Sequence, residues 1–374
     1  MRILFFIEGK DTPSSRFRVQ QFIPYFKKLG IKCRLVQGHP HKTYYVSHKN
    51  LILKRLVNSF LYFVKALTIM AQMPLILWAD IIFLQRPLIH HNFIFLEKFI
   101  FKFKKPVIFD IDDALFLKSK DPEAYEEIFV KLSKGNVRLN WTIRQADFVF
   151  AGNKFLANYT KKYNRETKIV PTVVNTKRYK YTPEKEIRKK ENKKENFIGW
   201  MGTSTNLDYL IKYLDVFKDI HKTHPNSKLI ISTDKFFYQK EIVSSIPTIF
   251  IKWSKKNELQ TLYSFDIGIM PLPNEPWVKG KCGFKLIQYM ACGIVSVGSN
   301  IGANKEIIKD GVNGYLAMDK EEWVQKISNL LENKEMRKEF SKAGRKTIEQ
   351  NYSIKSVLPD FIKYFNECLK SKML

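Results

Sequence analysis

Two short stretches of the chain concentrate residues that can do chemistry: PVIFDIDDALF, Pro106 to Phe116, and KGKCGFKLIQYMACG, residues 279–293. In the first, Asp110, Asp112 and Asp113 close an apolar run with strand character. Carboxylates at the C-terminal edge of a strand stand where open α/β sheets bind ligands, and like charges so close are expected to raise one another's pKa values. Three chemistries fit: a divalent-metal site, a carboxylate that orients or deprotonates a substrate hydroxyl, or a cap for the next helix. In the second stretch Leu286, Ile287 and Met290 fall at helical spacing and Gly293 ends the pattern, which predicts a helix starting near Gly283 or Phe284. A glycine lets a ligand approach the backbone, and the first N–H groups of a helix with its dipole suit an anion. Lys281 and Lys285 add positive charge there, although lysines before a helix are also ordinary surface residues. Gln288 is placed to face a ligand one turn inside the helix.

Two further segments sit where a strand gives way to a helix. TPSSRFRVQQ, Thr12 to Gln21, carries Arg16 and Arg18, which can grip a phosphate bidentately or simply face solvent. GWMGTSTNLDYL, Gly199 to Leu210, presents Gly202, Thr203, Ser204 and Asn206 as a second anion cradle. No G-x-G-x-x-G or G-x-x-x-x-G-K-[ST] pattern occurs, so the dinucleotide and P-loop readings lack their signatures. His39, His41, His90 and His91 have no further ligands at metal spacing and read as ordinary polar residues.

Positioning these groups requires strands that end beside helix starts, and the pattern supplies them. Arg2 to Ile7, Lys32 to Val36, Ile81 to Leu84, Val107 to Ile111, Phe148 to Ala151 and Lys168 to Val170 are short β-like runs separated by helical patterns. One helix is expected over Ser15 to Leu29. After Tyr179 to Asn196, a lysine- and glutamate-rich stretch that reads as a solvated connector, the alternation restarts with FIGWMG, KLIIST, IFIKW, DIGIMPL and IVSVGS. The fold class is therefore α/β with parallel sheets, in two successive units hinged near Thr172 to Lys177.

The chain has 374 residues, enough for two domains, and a formal net charge of +28. Residues 1–105 hold 18 Lys and Arg against 4 Asp and Glu, a basic surface that attracts phosphorylated substrates, nucleic acid or an anionic bilayer. Leu51 to Met70, apolar, aromatic and basic through Lys54, Arg55 and Lys65, fits either a surface-lying amphipathic helix or core packing. No signal peptide is expected, since the start MRILFFIEGK has only about five apolar residues before Glu8, and no transmembrane helix, since the longest uncharged stretch of the most apolar region, Ala66 to Ala79, includes Gln72 and Pro74 and falls short of a bilayer span. Cys33, Cys282, Cys292 and Cys368 show no metal spacing, which fits a reduced cytoplasmic protein.

The segment GFKLIQYMACGIVSVGSNIGANKEIIKDGVNGYLA, Gly283 to Ala317, resembles the donor-binding signature of the retaining glycosyltransferases of family 4, the group 1 glycosyl transferases. FDIDDALF, ADFVFAGNKFLANY, VPTVVNTKRY, GWMGTSTNLDYL and FDIGIMPL support it. The resemblance implies a GT-B architecture of two Rossmann-like domains facing across a cleft: residues 1–173 for the acceptor, 174–350 for the nucleotide sugar, and a helix over 351–374 crossing back to the first domain. It implies a nucleoside diphosphate sugar as co-substrate, no cofactor and no metal, and a glycan or lipid-linked acceptor. It also makes Asp112 and Asp113 the candidates for the reaction centre. Gly202, Thr203, Ser204, Asn206, Lys281, Gly283, Phe284, Lys285 and Gln288 would hold the donor, and Arg16 and Arg18 the acceptor. Of two glutamates common in the family, the chain has Gly280 and Gln288 instead; an amide oxygen can still accept from a ribose hydroxyl, and Glu275 is the nearest stand-in for the first. The expected location is cytoplasmic, with peripheral contact to an anionic membrane and no nucleic-acid partner. The rival readings are a nucleotide-sugar epimerase of the same general fold and a non-catalytic polyanion- or membrane-binding protein.

Overall fold

Runs such as IIFLQ and VIFDI are apolar on both faces, which suits strands covered by helices on both sides of a parallel sheet. A computed structural model describes residues 1–37, 51–89, 94–117, 137–182, 195–235, 242 and 244–372. His39, His41, His90 and His91, and residues 183–194 of the charged stretch, lie outside the described residues. The chain divides into two compact units, Met1–Thr172 with Val357–Leu374, and Val173–Ser356.

Unit 1 holds β1 (Arg2–Ile7), β2 (Lys32–Gln37), β3 (Ile81–Gln85), β4 (Val107–Ile111), β5 (Phe148–Ala151) and β6 (Thr167–Ile169). They form one parallel sheet in the order β2-β1-β3-β4-β5-β6. One side of it is an aromatic layer: Phe26 stacks on Phe5 at 6.1 Å, and Phe361 of the terminal helix Ile354–Lys370 meets Phe22 at 4.6 Å and Phe150 at 5.4 Å. The helix expected over Ser15 to Leu29 is broken into Pro13–Arg18, a 3₁₀ turn Gln20–Phe22 and Ile23–Lys28. Pro24 has no N–H to give to the carbonyl four residues back, so a continuous helix would lose that bond, and the chain turns at Val19 instead.

Unit 2 holds β7 (Asn196–Met201), β8 (Ser227–Thr233), β9 (Thr248–Lys252), β10 (Ile267–Met270), β11 (Val295–Ser299) and β12 (Tyr315–Ala317) in the order β12-β11-β10-β7-β8-β9, again all parallel. Its core gathers Trp200, Phe217, Leu229, Ile267, Val297 and Trp323. The connector reading fails at its first residue. Tyr179 is only 1% exposed, because its ring has apolar area to bury and its hydroxyl finds a buried acceptor in Glu258.

Among the described residues, unit 1 buries ionisable side chains at Arg18 with Asp110 and at Glu97. The guanidinium of Arg18 clasps the Asp110 carboxylate through Nε and Nη2 and gives Nη1 to the Val170 carbonyl and the Thr172 hydroxyl. Both side chains are almost wholly buried. Arg18→Met leaves Asp110 as an uncompensated buried charge and is expected to cost about 3–5 kcal/mol, read from the urea midpoint; a loss under about 1 kcal/mol would show that the pair does not hold β4 to the first helix. Glu97 is buried with Oε1 accepting from the Leu88 N–H at 2.9 Å, while Oε2 has no hydrogen-bond partner among the described residues. Burial pushes its carboxyl up to about 7 from 4.5, against the pull of backbone donors and Lys65. The folded state therefore keeps a proton that the unfolded chain has lost, so this group's stabilising contribution is full below about pH 4.5 and falls away as pH rises through about 7. Glu97→Gln should accordingly raise stability, read from the urea midpoint, more at pH 8 than at pH 4, by on the order of 3 kcal/mol at most, and equal changes at both pH values would refute the assignment.

Candidate active site

In unit 2, β7 and β10 are neighbours, yet the chain leaves β7 toward β8 on one side and β10 toward β11 on the other. Connections that diverge in this way open a crevice at the C-terminal ends of the two strands. The segment Gly202 to Asn206 follows β7, and the segment after β10 runs through Glu275, Gly280 and Lys281 into the helix Phe284–Ala291. This is the predicted helix start. Gly283 caps it in the left-handed region, φ 65° and ψ 18°, a conformation that favours glycine, and a Cβ there would lie 2.2 Å from Ile307 Cδ1 and force that methyl to move.

The helix is pinned to the end of β7 by its own Tyr289, whose hydroxyl accepts the Met201 N–H at 3.0 Å. Lys285 then lies with Nζ 5.3 Å from the centre of the Trp200 ring, and its Cε would be 2.8 Å from a Cβ at Gly202. Gly202 and Lys285, 83 positions apart in sequence, thus meet. Lys281 sets Nζ 5.8 Å from the ring of Tyr209, on the helix Leu207–Ile211 that continues the Gly202 loop. Both ammonium groups lie within 6 Å of aromatic faces at the crevice, where a ring's negative quadrupole attracts a cation.

The Gly202 loop itself is partly committed. The Ser204 N–H donates to Asp234 Oδ1 at 2.8 Å, and the Asn206 amide donates to Thr203 Oγ1 at 2.6 Å. The second cradle therefore offers an anion less than its composition suggested, with a carboxylate at its rim.

Gln288 is buried, and its Nε2 donates to the Tyr179 hydroxyl at 3.2 Å. That hydroxyl donates to Glu258 Oε1 at 2.5 Å, and Arg178 approaches the same carboxylate at 3.4 Å. Since the Tyr179 proton goes to Glu258, its oxygen can only accept, so the chain of bonds fixes which end of the Gln288 amide points inward. Burial and the Glu258 charge hold the Tyr179 hydroxyl protonated, well above the usual tyrosine range. A carboxylate at 288 would find no proton on that oxygen and would add a second negative charge beside Glu258. The amide fits where glutamate would not. Gly280 follows the short helix Pro276–Lys279, and the carboxylate of Glu275 is engaged by Lys212 at 3.1 Å.

In unit 1 the corresponding reversal lies between β1 and β3. Glu8 follows β1, Arg86 follows β3, and Asp112 and Asp113 follow β4. Arg86 joins them all: Nε to Asp112 at 2.5 Å, Nη2 to Asp113 at 2.8 Å and Nη1 to Glu8 at 3.3 Å. Its own backbone is left-handed, φ 59°, a costly conformation for a residue with a side chain and one that clusters at functional sites. The expectation that the aspartates raise one another's pKa values is overturned for Asp112. Burial alone would raise it, but the Arg86 guanidinium, by charge and by hydrogen bond, holds it below the usual carboxylate range.

Of the residues expected to bind, Arg16 is half-buried with its guanidinium 4.9 Å from the Phe17 ring, whereas Arg18 is buried on Asp110. Asp110 joins that pair and not the surface cluster. Sequence reasoning missed Glu8, Arg86, Tyr179, Asp234 and Glu258. The one available signal was an arginine directly after the apolar strand IIFLQ, at the strand end where ligands bind.

Residues 182–347 match the family model of the glycosyl transferases group 1. Spore coat protein SA of Bacillus subtilis (strain 168) is 22% identical over 285 residues, 68% of this chain and 73% of that protein. Sucrose-phosphate synthase from Thermosynechococcus elongatus superposes with a TM-score of 0.72 at 12% identity, covering 99% of this chain and 100% of that one. Anabaena HepE, solved in complex with UDP and glucose, gives 0.65 at 16% identity, covering 98% and 99%. At these identities the structures speak for the fold and the family match for the second half. The chain therefore has the GT-B fold, and its residues 182–347 match the model of the group 1 glycosyl transferases.

Proposed function

We propose that this protein is a retaining glycosyltransferase that moves a sugar from a nucleoside diphosphate sugar to a hydroxyl of a surface glycan or a lipid-linked acceptor on the cytoplasmic side of a membrane. The observation that carries the donor half is the lysine-flanked helix start at the strand-order reversal of unit 2, inside the segment that matches the family. HepE, with the same fold, was solved in complex with UDP and glucose, which supports a uridine nucleotide as the first donor to try.

In this reading the diphosphate sits against Lys281, Lys285 and the backbone of Gly283 and Phe284, where negative charge grows as the sugar–oxygen bond breaks. Gly202 lets the diphosphate approach from the other side, with Thr203, Ser204 and Asn206 lining the loop. The Gln288 amide oxygen accepts from a ribose hydroxyl. Arg16 meets the acceptor. Asp112 and Asp113 serve the reacting sugar and the acceptor hydroxyl. An aspartate held ionised by Arg86 is a weak base, so Asp112 is better suited to accept a hydrogen bond and to face developing positive charge than to remove a proton. No divalent ion is required in this reading, because the cation among Glu8, Asp112 and Asp113 is already the guanidinium of Arg86.

Lys285→Ala should lower turnover of the nucleotide sugar by about 10²-fold while changing stability by less than about 1 kcal/mol. Unchanged turnover removes the diphosphate role, and product formed without any acceptor points to the epimerase instead. Transfer measured in excess EDTA should equal transfer without it; a loss restored by magnesium or manganese would replace the guanidinium reading with a metal site.

A further inference from the structure

The helix Leu51–Ala71 buries Ala66 and Ile69 but leaves Leu56, Phe60, Phe63, Leu67 and Met70 between 48% and 64% exposed. Their spacing of four and three residues lines them along one face, within an arc of about 80° on the helix surface. Ala66 and Ile69 project about 80° and 140° round the helix from Leu56, so the exposed stripe flanks the buried side and turns away from it. A second helix, Phe95–Lys102, exposes Phe95 and Phe99 at 45% and 44% beside exposed Lys98 and Lys102.

The two helices share one face of the unit 1 sheet. The crossovers from β2 to β3 and from β3 to β4 both advance the same way across parallel strands, and right-handed connections then place both helices on the same side. Lys65 of the first helix is close enough to Glu97 of the second for each to influence the other's charge. Glu97 is the only acidic residue in either helix and it is buried, so their outer surfaces carry apolar groups and lysines without a described carboxylate.

We infer that this face is a docking surface for the headgroup and upper acyl region of an anionic lipid bilayer. The apolar stripe enters the interface while Lys98 and Lys102 meet anionic headgroups. Among the described residues no helix is long and apolar enough to cross a membrane, so the helix lies on the bilayer. A second copy of the chain is the weaker occupant: each copy would bring the same lysines and the same strongly positive charge, +28 overall, to the contact. The surface stands independently of the transferase reading, which only supplies a reason for being at a membrane.

The test is sedimentation of the full chain with vesicles of phosphatidylcholine alone and with about one-third phosphatidylglycerol. Binding to the anionic vesicles should exceed binding to the neutral ones, and fall about tenfold or more in Phe60→Ser/Phe63→Ser and with rising salt in the wild type. Lys98→Ser/Lys102→Ser should weaken the anionic preference while leaving the stripe intact. Melting temperature and nucleotide-sugar turnover with a water-soluble acceptor, measured on the same variants, separate loss of docking from loss of fold or of the transferase site. Absence of wild-type binding, or binding unchanged in Phe60→Ser/Phe63→Ser, overturns the proposal. So does a wild-type dimer in light scattering that the stripe variant dissociates without any vesicle binding.

Discussion

A parallel strand can be joined to its neighbour only by a crossover, and crossovers of one hand place helices on one side when the chain moves one way and on the other when it moves back. Each sheet of this protein reverses direction once, between β1 and β3 and between β7 and β10. Everything with chemical promise follows from that constraint. At each reversal the loops leave in opposite directions, and the strand ends they expose carry Glu8, Arg86, Asp112 and Asp113 in one unit and Gly202, Lys281, Gly283 and Lys285 in the other.

The two clusters keep their charges by different means. In unit 2 the two lysines lie beside aromatic faces near the helix start. In unit 1 a single guanidinium bridges three carboxylates and holds Asp112 ionised. Behind it a second arginine, Arg18, is consumed in joining the first helix to β4. Two arginines two positions apart therefore have unlike fates: Arg16 sits beside the Phe17 ring, half-buried, and Arg18 is buried structure. The same sorting operates outside the sites, where Lys65 is half-buried while Lys98 and Lys102 are exposed beside phenylalanines.

Much of this was legible without coordinates. Short apolar runs separated by helical periodicity marked every described strand but β12 to within a residue or two, most plainly where a strand covered on both faces has no alternative to being apolar throughout. Gly283 and Gly293 bracketed the site helix, since positive φ is what a glycine at a helix terminus is for. The break near Val19 was not legible, because a proline is compatible with the first turn of a helix and the pattern alone could not say that a new helix began there.

By itself the sequence determined the two runs of alternating strands and helices, the positions of the site loops at strand ends, and the side-chain types available there. Those are consequences of periodicity and of local backbone preference, both of which act within a few residues. Only tertiary structure decided which charges meet. Arg86 and Glu8 are 78 positions apart, Arg18 and Asp110 92, and Gln288 and Tyr179 109. Whether a carboxylate is free, neutralised or replaced by an amide depends on the field of those distant partners inside a low-dielectric interior, and no local pattern carries that field.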